Sequence, residues 1–263
     1  LEAMNDRMFR VTGDAYDFFM GRWSRQLAPA LAEAAGIAAG HRVLDVGCGP
    51  GALTGVLVDL VGSSSVAACD PSEPFVAACA ERHPGVDVQQ AGAEDLPWPD
   101  QAFDSVFAQL VLNLVPDRAA AAAEMTRVLR PGGTVATAVW DYGEGMEMLR
   151  HFWDAARAIR TDGPDEAHPT ALGGVGELAE FLTAAGFDAV AESTLRVEST
   201  YADAAEVWQG FLAGVGPAGA WCLSLPDDER EALRREFLGR LPDRGPVTLA
   251  AVARCGTGRR PSP

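Results

Sequence analysis

A chain of 263 residues, 48% hydrophobic and 22% charged, has room for one substantial α/β domain with additions or for two small ones, and is too apolar to be disordered. Its net charge of -16 and pI near 4.6 argue against duplex nucleic acid as a partner, because that work rests on basic groups neutralising phosphates and no basic run exceeds Arg259-Arg260. All 21 basic residues are arginine, which removes lysine from every catalytic role, Schiff-base chemistry included.

The five cysteines, Cys48, Cys69, Cys79, Cys222 and Cys255, are widely spaced and form no Cys-x-x-Cys pair. They read as free thiols in a reducing compartment rather than as a disulfide framework or a zinc site, and no metal is expected. No apolar run approaches the roughly 20 residues that span a bilayer, and the N-terminus carries no apolar leader core. A cytoplasmic protein with no membrane partner is expected. Leu1-Glu2-Ala3 ahead of Met4 reads as an expression scar.

In chain order, Leu27, Leu31 and Ala35 recur at helical spacing across 24–35, with Gly36 placed to stop the helix. Strands are predicted at 42–46, 65–69, 86–90, 103–108 and 134–139. Helices are predicted at 52–61 and 73–82, and a third starts at Asp117, carries Met125, Val128 and Leu129 on one face, and ends at Pro131-Gly132-Gly133. Strands alternating with helices imply a doubly wound, mostly parallel sheet covered on both faces. Beyond Trp140 the pattern loosens: helices are expected at 146–159, 178–185 (ended by Gly186), 204–212 and 227–238, with strands at 188–196 and 246–254. Ser224-Leu-Pro-Asp227 reads as a capping box for the last helix. The stretches 141–176 and 201–245 are longer than connections need, which marks them as functional covers.

The strongest motif is Val43-Leu-Asp-Val-Gly-Cys-Gly-Pro-Gly-Ala-Leu-Thr54 at a strand-to-helix turn. Gly47, Gly49 and Gly51 let the backbone turn sharply and approach a ligand, flanked by Asp45 and Cys48. Asp70 ends the next strand, where a carboxylate can accept from both hydroxyls of a ribose. Gly47-x-Gly49-x-x-Ala52 also satisfies the dinucleotide fingerprint, so this turn by itself admits either adenosylmethionine or NAD.

Val43–Thr54 resembles the first motif of the class I, Rossmann-like, S-adenosylmethionine-dependent methyltransferases of the UbiE-like, small-molecule type. The likeness continues through Ala68-Cys-Asp-Pro-Ser72, Ala91-Gly-Ala-Glu-Asp-Leu-Pro-Trp-Pro-Asp100 and Glu124-x-x-Arg127-Val-Leu-Arg-Pro-Gly-Gly133. It implies seven strands in the order 3-2-1-4-5-7-6 with the last antiparallel and helical cap insertions. It also implies S-adenosylmethionine as cofactor, S-adenosylhomocysteine as product and a small-molecule acceptor. One methyltransferase domain over 1–263 is expected: N-terminal lid helices at 1–36, cofactor-binding core at 37–140, substrate caps at 141–176 and 201–245, last strand at 246–254. Whether it is a monomer or a homodimer stays open. In this scheme Pro71, Ala93, Glu94 and Gln109 join the cofactor site. Where the family often has an acid ahead of the Ala-Glu pair this chain has Gly92, which leaves adenine to Glu94 or the Ala93 backbone, with Trp98 and Pro71 able to sandwich the ring.

The segment Tyr16–Ser24 resembles one that closes over the cofactor in such enzymes. Arg22 suits the cofactor's carboxylate because its planar fork binds carboxylates bidentately, and Tyr16 and Trp23 suit a sulfonium. An acceptor hydroxyl would call for a base, for which His151, Asp141, Glu144 and Glu147 are candidates. His41 and His83, the latter expected on the opposite edge, read as structural, and His168 is unassigned. Trp23, Trp140, Tyr142, Trp208 and Phe211 are expected to line an apolar acceptor pocket. Gln109-Leu-Val-Leu-Asn113 lacks the Asn-Pro-Pro-Tyr pattern that amino methylation of nucleic-acid bases uses. The competing readings are a non-catalytic adenosylmethionine or adenosylhomocysteine binder acting as a regulator, and an NAD-dependent oxidoreductase.

Overall fold

The computed structural model describes residues 13–143, 145–160 and 172–262. Seven strands form one sheet in the order β3-β2-β1-β4-β5-β7-β6. They are β1 (Val43–Val46), β2 (Val66–Asp70), β3 (Asp87–Gln90), β4 (Phe103–Gln109), β5 (Leu129–Trp140), β6 (Asp188–Tyr201) and β7 (Val247–Arg259). β1 pairs in parallel with β2 and β4, and β4 with β5, while β7 runs antiparallel to β5. This is the order and the antiparallel strand that the family resemblance implies.

The helices are α1 (Arg22–Ala34), α2 (Ala52–Val61), α3 (Glu73–Arg82), α4 (Arg118–Val128), α5 (Glu147–Ile159), α6 (Glu177–Ala184), α7 (Ala204–Leu212), α8 (Gly216–Ser224) and α9 (Asp227–Leu238). Period-two alternation divides the strand residues between two helical layers. Val43, Val66, Phe107 and Ala136 pack with Leu31 of α1 and Leu57 of α2. Leu44, Val106, Val135 and Val139 pack with Met125 of α4 and Leu178 and Leu182 of α6.

Several boundaries differ from expectation. Leu129 starts β5 rather than ending a helix, and the β4–β5 register shifts between Phe103 and Ser105 to absorb Pro131-Gly132-Gly133. β6 and β7 run about five residues further than their predicted ends. The capping box at Ser224 is not formed. Ser224 closes α8, a helix the sequence reading did not foresee, and its hydroxyl donates back to the Trp221 carbonyl at 2.7 Å. Asp117 does cap α4, accepting from Ala120 N at 3.0 Å.

The chain divides into two compact units. One comprises 24–140, 171–195 and 253–263 and holds the cofactor motifs. The other comprises 1–23, 141–170 and 196–252. Among the described residues no helix is long and apolar enough to cross a membrane.

Candidate active site

The turn after β1 carries three glycines at positive φ: Gly47 (69°), Gly49 (52°) and Gly51 (95°). A Cβ on Gly47 would lie 2.3 Å from a Val111 methyl, and one on Gly51 2.6 Å from the His83 ring, whereas one on Gly49 would meet nothing within 4 Å. Gly47 and Gly51 are thus demanded by the protein's own packing. Gly49 faces open space, where a ligand can approach the backbone only if no side chain stands there.

Asp70 ties β2 to this turn. Its Oδ2 accepts from Gly49 N at 2.9 Å and its Oδ1 from Ser72 N at 2.9 Å. A carboxylate has about four acceptor sites, so two remain for a ligand's hydroxyls. Burial raises its pKa to about 6, against the pull of those two amides. Beneath the turn Asp45 is fully buried and accepts from the Thr54 hydroxyl at 2.7 Å. Burial lifts it to about 7, the Thr54 hydrogen bond opposes this, and the Asp70 charge adds to it.

The end of α3 supports the turn from behind. Arg82 donates to Pro50 O at 3.2 Å, and His83 Nε2 lies 3.0 Å from Gly51 O. His83 was expected on the opposite edge; it lies against the cofactor turn instead. A signal was present, since a short helix returning from β2 must lie beside the helix that follows β1.

The segment 91–102 is held by Glu124 and Arg127 of α4. Glu124 accepts from Leu96 N at 2.8 Å, and Arg127 donates to Leu96 O at 2.9 Å, Trp98 O at 2.8 Å and Asp100 at 2.9 Å. Arg127 holds Glu124 below the ordinary carboxylate range. Ala93 is buried, and Glu94 Oε2 lies 3.1 Å from where a Gly92 side chain would begin. Glu94 thus brings its carboxylate over the position where the family often has an acid. Trp98 does not sandwich a ligand with Pro71. Its ring is buried edge-on to Phe103 at 5.7 Å, its indole donates to Asp87 at 2.7 Å, and Pro71 is exposed.

At the end of β4, Gln109 is 8% exposed and donates Nε2 to Ser24 O at 3.1 Å, while its Oε1 has no partner among the described residues. Leu110 adopts φ 64°, a conformation that costs a residue with a Cβ on the order of 1–2 kcal/mol. Trp140, at the end of β5, is buried with its indole N–H likewise unpartnered. Buried polar atoms left without partners are rare, and a ligand is one of the things that explains them. The bare approach at Gly49, the acceptors of Asp70 and the orphan oxygen of Gln109 fit a ribose-bearing, amine-bearing cofactor. Among the described residues no group of His, Cys, Asp and Glu gathers in a metal-binding cluster.

The second unit arranges its expected site residues differently. Arg22 donates to Glu206 at 2.7 Å and to Thr200 O at 3.3 Å, and stacks 4.0 Å over the Tyr201 ring. Glu206 also accepts from Ala202 N at 2.6 Å, while Asp203 caps the same helix by accepting from Glu206 N at 2.8 Å. Asp203-x-x-Glu206 closes the start of α7 in the manner of a capping box, with Glu206 reaching back to Ala202 N rather than to the N–H of Asp203 itself, a signal the sequence analysis does not use. Trp23 is fully buried, 6.4 Å from the Tyr201 ring. Trp208 and Phe211 are buried in an aromatic cluster: Phe211 stacks on Phe152 at 4.3 Å and meets Phe237 edge-on at 5.3 Å, and Trp208 lies 5.8 Å from Phe237. His151 is half-buried on α5, its pKa lowered by burial and by Arg240 against Glu147 and Asp154. Tyr16 lies in the helical turn Gly13–Tyr16 and Tyr142 in the turn after β5, both half-buried. Glu144 and His168 lie outside the described residues.

A sheet of this order, with a glycine turn after β1 and an acid ending β2, defines a Rossmann-like nucleotide-cofactor fold. A family model described as a methyltransferase domain matches residues 44–137. The nocamycin O-methyltransferase of Saccharothrix syringae is 31% identical over 267 residues, covering 93% of this chain and 94% of that protein. The fatty-acid O-methyltransferase of Mycolicibacterium smegmatis is 35% identical over 116 residues, 43% of this chain and 42% of that one. The first mycobacterial relatives, too, are spanned over less than half of their length. The solved structure of the cyclase SpnF, 23% identical with a TM-score of 0.54 over 91% of this chain and 82% of that one, shares the fold. The chain belongs to the class I S-adenosylmethionine-dependent methyltransferases.

Proposed function

We propose that the protein transfers a methyl group from S-adenosylmethionine to an oxygen of a small secondary metabolite. The observation that carries the reading is the likeness to nocamycin O-methyltransferase over nearly the whole of both chains, cap segments included.

When bound, adenosylmethionine supplies a methyl group already activated on a sulfonium. The chain's own work is then placement: holding the acceptor oxygen in line with the methyl carbon and its leaving sulfur. The Gly47–Gly51 turn admits the cofactor's backbone approach, Asp70 takes the ribose hydroxyls, and Ala93 and Glu94 face the adenine. The Gln109 amide oxygen accepts from the cofactor's ammonium. Trp140 at the end of β5 is the candidate on the cofactor-binding unit for contact with the acceptor, and within the other unit Tyr142, Trp208 and Phe211 are the candidates that shape the acceptor's surroundings. His151, kept neutral by its lowered pKa, is the base candidate for an acceptor that arrives protonated.

The experiment is incubation with methyl-labelled adenosylmethionine and a panel of hydroxyl- and carboxyl-bearing small secondary metabolites. Label should appear in a base-stable ether or a base-labile ester. Label on nitrogen or carbon would replace the oxygen acceptor. Binding of adenosylhomocysteine without transfer across metabolite extracts would favour a regulatory binder.

A further inference from the structure

The cofactor turn contains a thiol that its chemistry does not use. Cys48 sits between Gly47 and Gly49, and its side chain packs in a small buried cluster with Ala68 of β2 and Cys79 of α3. Both thiols are buried, at 6% and 0% exposure. Cys79 Sγ lies 3.7 Å from Thr54 Oγ1 and 3.1 Å from where a Gly51 side chain would begin, so it presses on the far end of the same turn. Cys48 Sγ donates to Gly49 O at 3.4 Å, and the two thiols, neighbours in the same buried cluster, influence each other's ionisation: the Cys48 thiol holds Cys79 below the ordinary thiol range, and Cys79 together with burial raises Cys48. Cys69, Cys222 and Cys255 have no such partner and are pushed up by burial, to about 12, 11 and 12.

We propose that Cys48 and Cys79 form an oxidisable pair whose disulfide disables the cofactor turn. The oxidant is a hydroperoxide small enough to reach the turn. One thiolate attacks the peroxide oxygen, breaking the O–O bond and giving a sulfenic acid, with water as the leaving product. The second thiol then displaces the sulfenic oxygen as a second water and forms the S–S bond. In sum, two thiols and one hydrogen peroxide give one disulfide and two waters.

The consequence follows from bond lengths. A disulfide holds its sulfurs about 2.05 Å apart, well inside any non-bonded approach of two thiols. Closing that gap draws Cys48 towards α3. Cys48 N donates to Cys69 O at 2.9 Å, and its carbonyl accepts from Gly51 N at 3.0 Å. Its neighbour Gly49 donates to Asp70 at 2.9 Å. Moving Cys48 disturbs these bonds together, and with them the carboxylate that receives the ribose. Bound cofactor, which needs the turn in its reduced geometry, protects the pair by the same linkage.

This inference rests on adenosylmethionine being the cofactor, and the test separates the two. Reduced protein is treated with hydrogen peroxide, with and without adenosylhomocysteine; disulfides are mapped by non-reducing peptide mass spectrometry, and adenosylhomocysteine binding is measured by calorimetry. Expected are a Cys48–Cys79 bridge, two mass units lost, binding weakened at least tenfold, recovery with dithiothreitol, and slower oxidation in the presence of ligand. Cys79→Ser should bind as the reduced parent does and resist the loss; Cys79→Ala serves the same purpose should the serine variant not fold. Absence of the bridge under excess peroxide, or a bridged protein that binds undiminished, overturns the proposal. Loss of binding that persists in the Cys79 variant does so too. If the reduced parent does not bind adenosylhomocysteine, the cofactor reading fails, while the mapping still decides whether the pair is oxidised.

Discussion

The two compact units solve different physical problems. In the unit holding 24–140, the residues that matter are fixed by backbone geometry. Gly47 and Gly51 have no room for a side chain, Asp70 must reach two particular amides, and Asp45 is buried against a single hydroxyl. In the unit holding 196–252, the interior is a stack of rings, Phe152, Phe211, Phe237, Trp208, Trp153 and Trp221, for which volume and contact matter more than any one partner. A site read from hydrogen-bonding geometry tolerates no substitution. A site shaped by packing can change its shape while the fold survives, which is how one scaffold serves many acceptors.

Substitutions sharpen this contrast. The largest effect is expected at Phe211, which is fully buried among four aromatic neighbours. Phe211→Ala should cost about 3–5 kcal/mol of stability in chemical denaturation, with adenosylhomocysteine affinity near the parent's wherever the variant is folded. A loss of affinity equal to the loss of stability would show that the two units do not divide the work. Next, Gly49→Val should abolish adenosylhomocysteine binding, by about a hundredfold or more (~2.7 kcal/mol). Its branched side chain would fill the one open side of the turn, and its positive φ adds strain. Parental affinity in a folded Gly49→Val protein would remove the turn from the cofactor site.

Asp70→Ala should weaken binding by about 1.5–3 kcal/mol, the range for hydrogen bonds to a charged group. Its pH dependence has a definite sign. Asp70 near 6 and Asp45 near 7 both lie above the ordinary value of 3.8. Free of cofactor, the stability they confer is full below about pH 4 and is lost as pH rises through 6 and 7, because the unfolded chain releases those protons first. Cofactor binding runs the other way, since ribose hydroxyls donate to the ionised carboxylate. Affinity should be flat above about pH 7 and fall roughly tenfold per unit well below 6. In Asp70→Asn that fall should vanish; calorimetry at four pH values would show whether it does.

The sequence made the sheet order legible through four ordered motifs, and Asp70 and the glycine turn through residue types that few other positions require. It left His83 misplaced because a lone histidine after a helix carries no mark of the carbonyl it will meet. It offered Trp98 as a residue able to sandwich adenine and Phe211 as an acceptor-pocket residue because an aromatic side chain that packs inward and one that receives a ligand have the same composition. The helix Gly216–Ser224 went unread because its Gly-Pro-Ala-Gly-Ala run has low helix propensity and is held by its packing, with Ala218, Gly219 and Cys222 buried. Ser224 was then assigned to the start of the next helix, when it closes this one.

Arg22 is expected to show the smallest effect on the cofactor, and it tests the division most directly. Sequence reasoning placed its fork on the cofactor's carboxylate. The structure gives that fork Glu206, the Thr200 carbonyl and the Tyr201 ring, with the arginine side chain 24% exposed and the glutamate 30%. To bind a ligand carboxylate through the same N–H groups it would have to give up Glu206, itself held by Ala202 N at the start of α7. An ion pair this exposed contributes about 0–1 kcal/mol, and a guanidinium over a ring contributes about 0.5–1 kcal/mol more. Arg22→Ala should therefore lower stability by about 0.5–2 kcal/mol on those two figures, and change adenosylhomocysteine affinity less than threefold. Glu206→Gln should reproduce only the ion-pair share of that loss, because it breaks the pair from the other side and leaves Arg22 stacked on Tyr201. The opposite pattern, a tenfold loss of affinity at unchanged ligand-free stability together with a silent Glu206→Gln, would mean that Arg22 releases Glu206 when the cofactor arrives. Arg22 would then belong to the cofactor site.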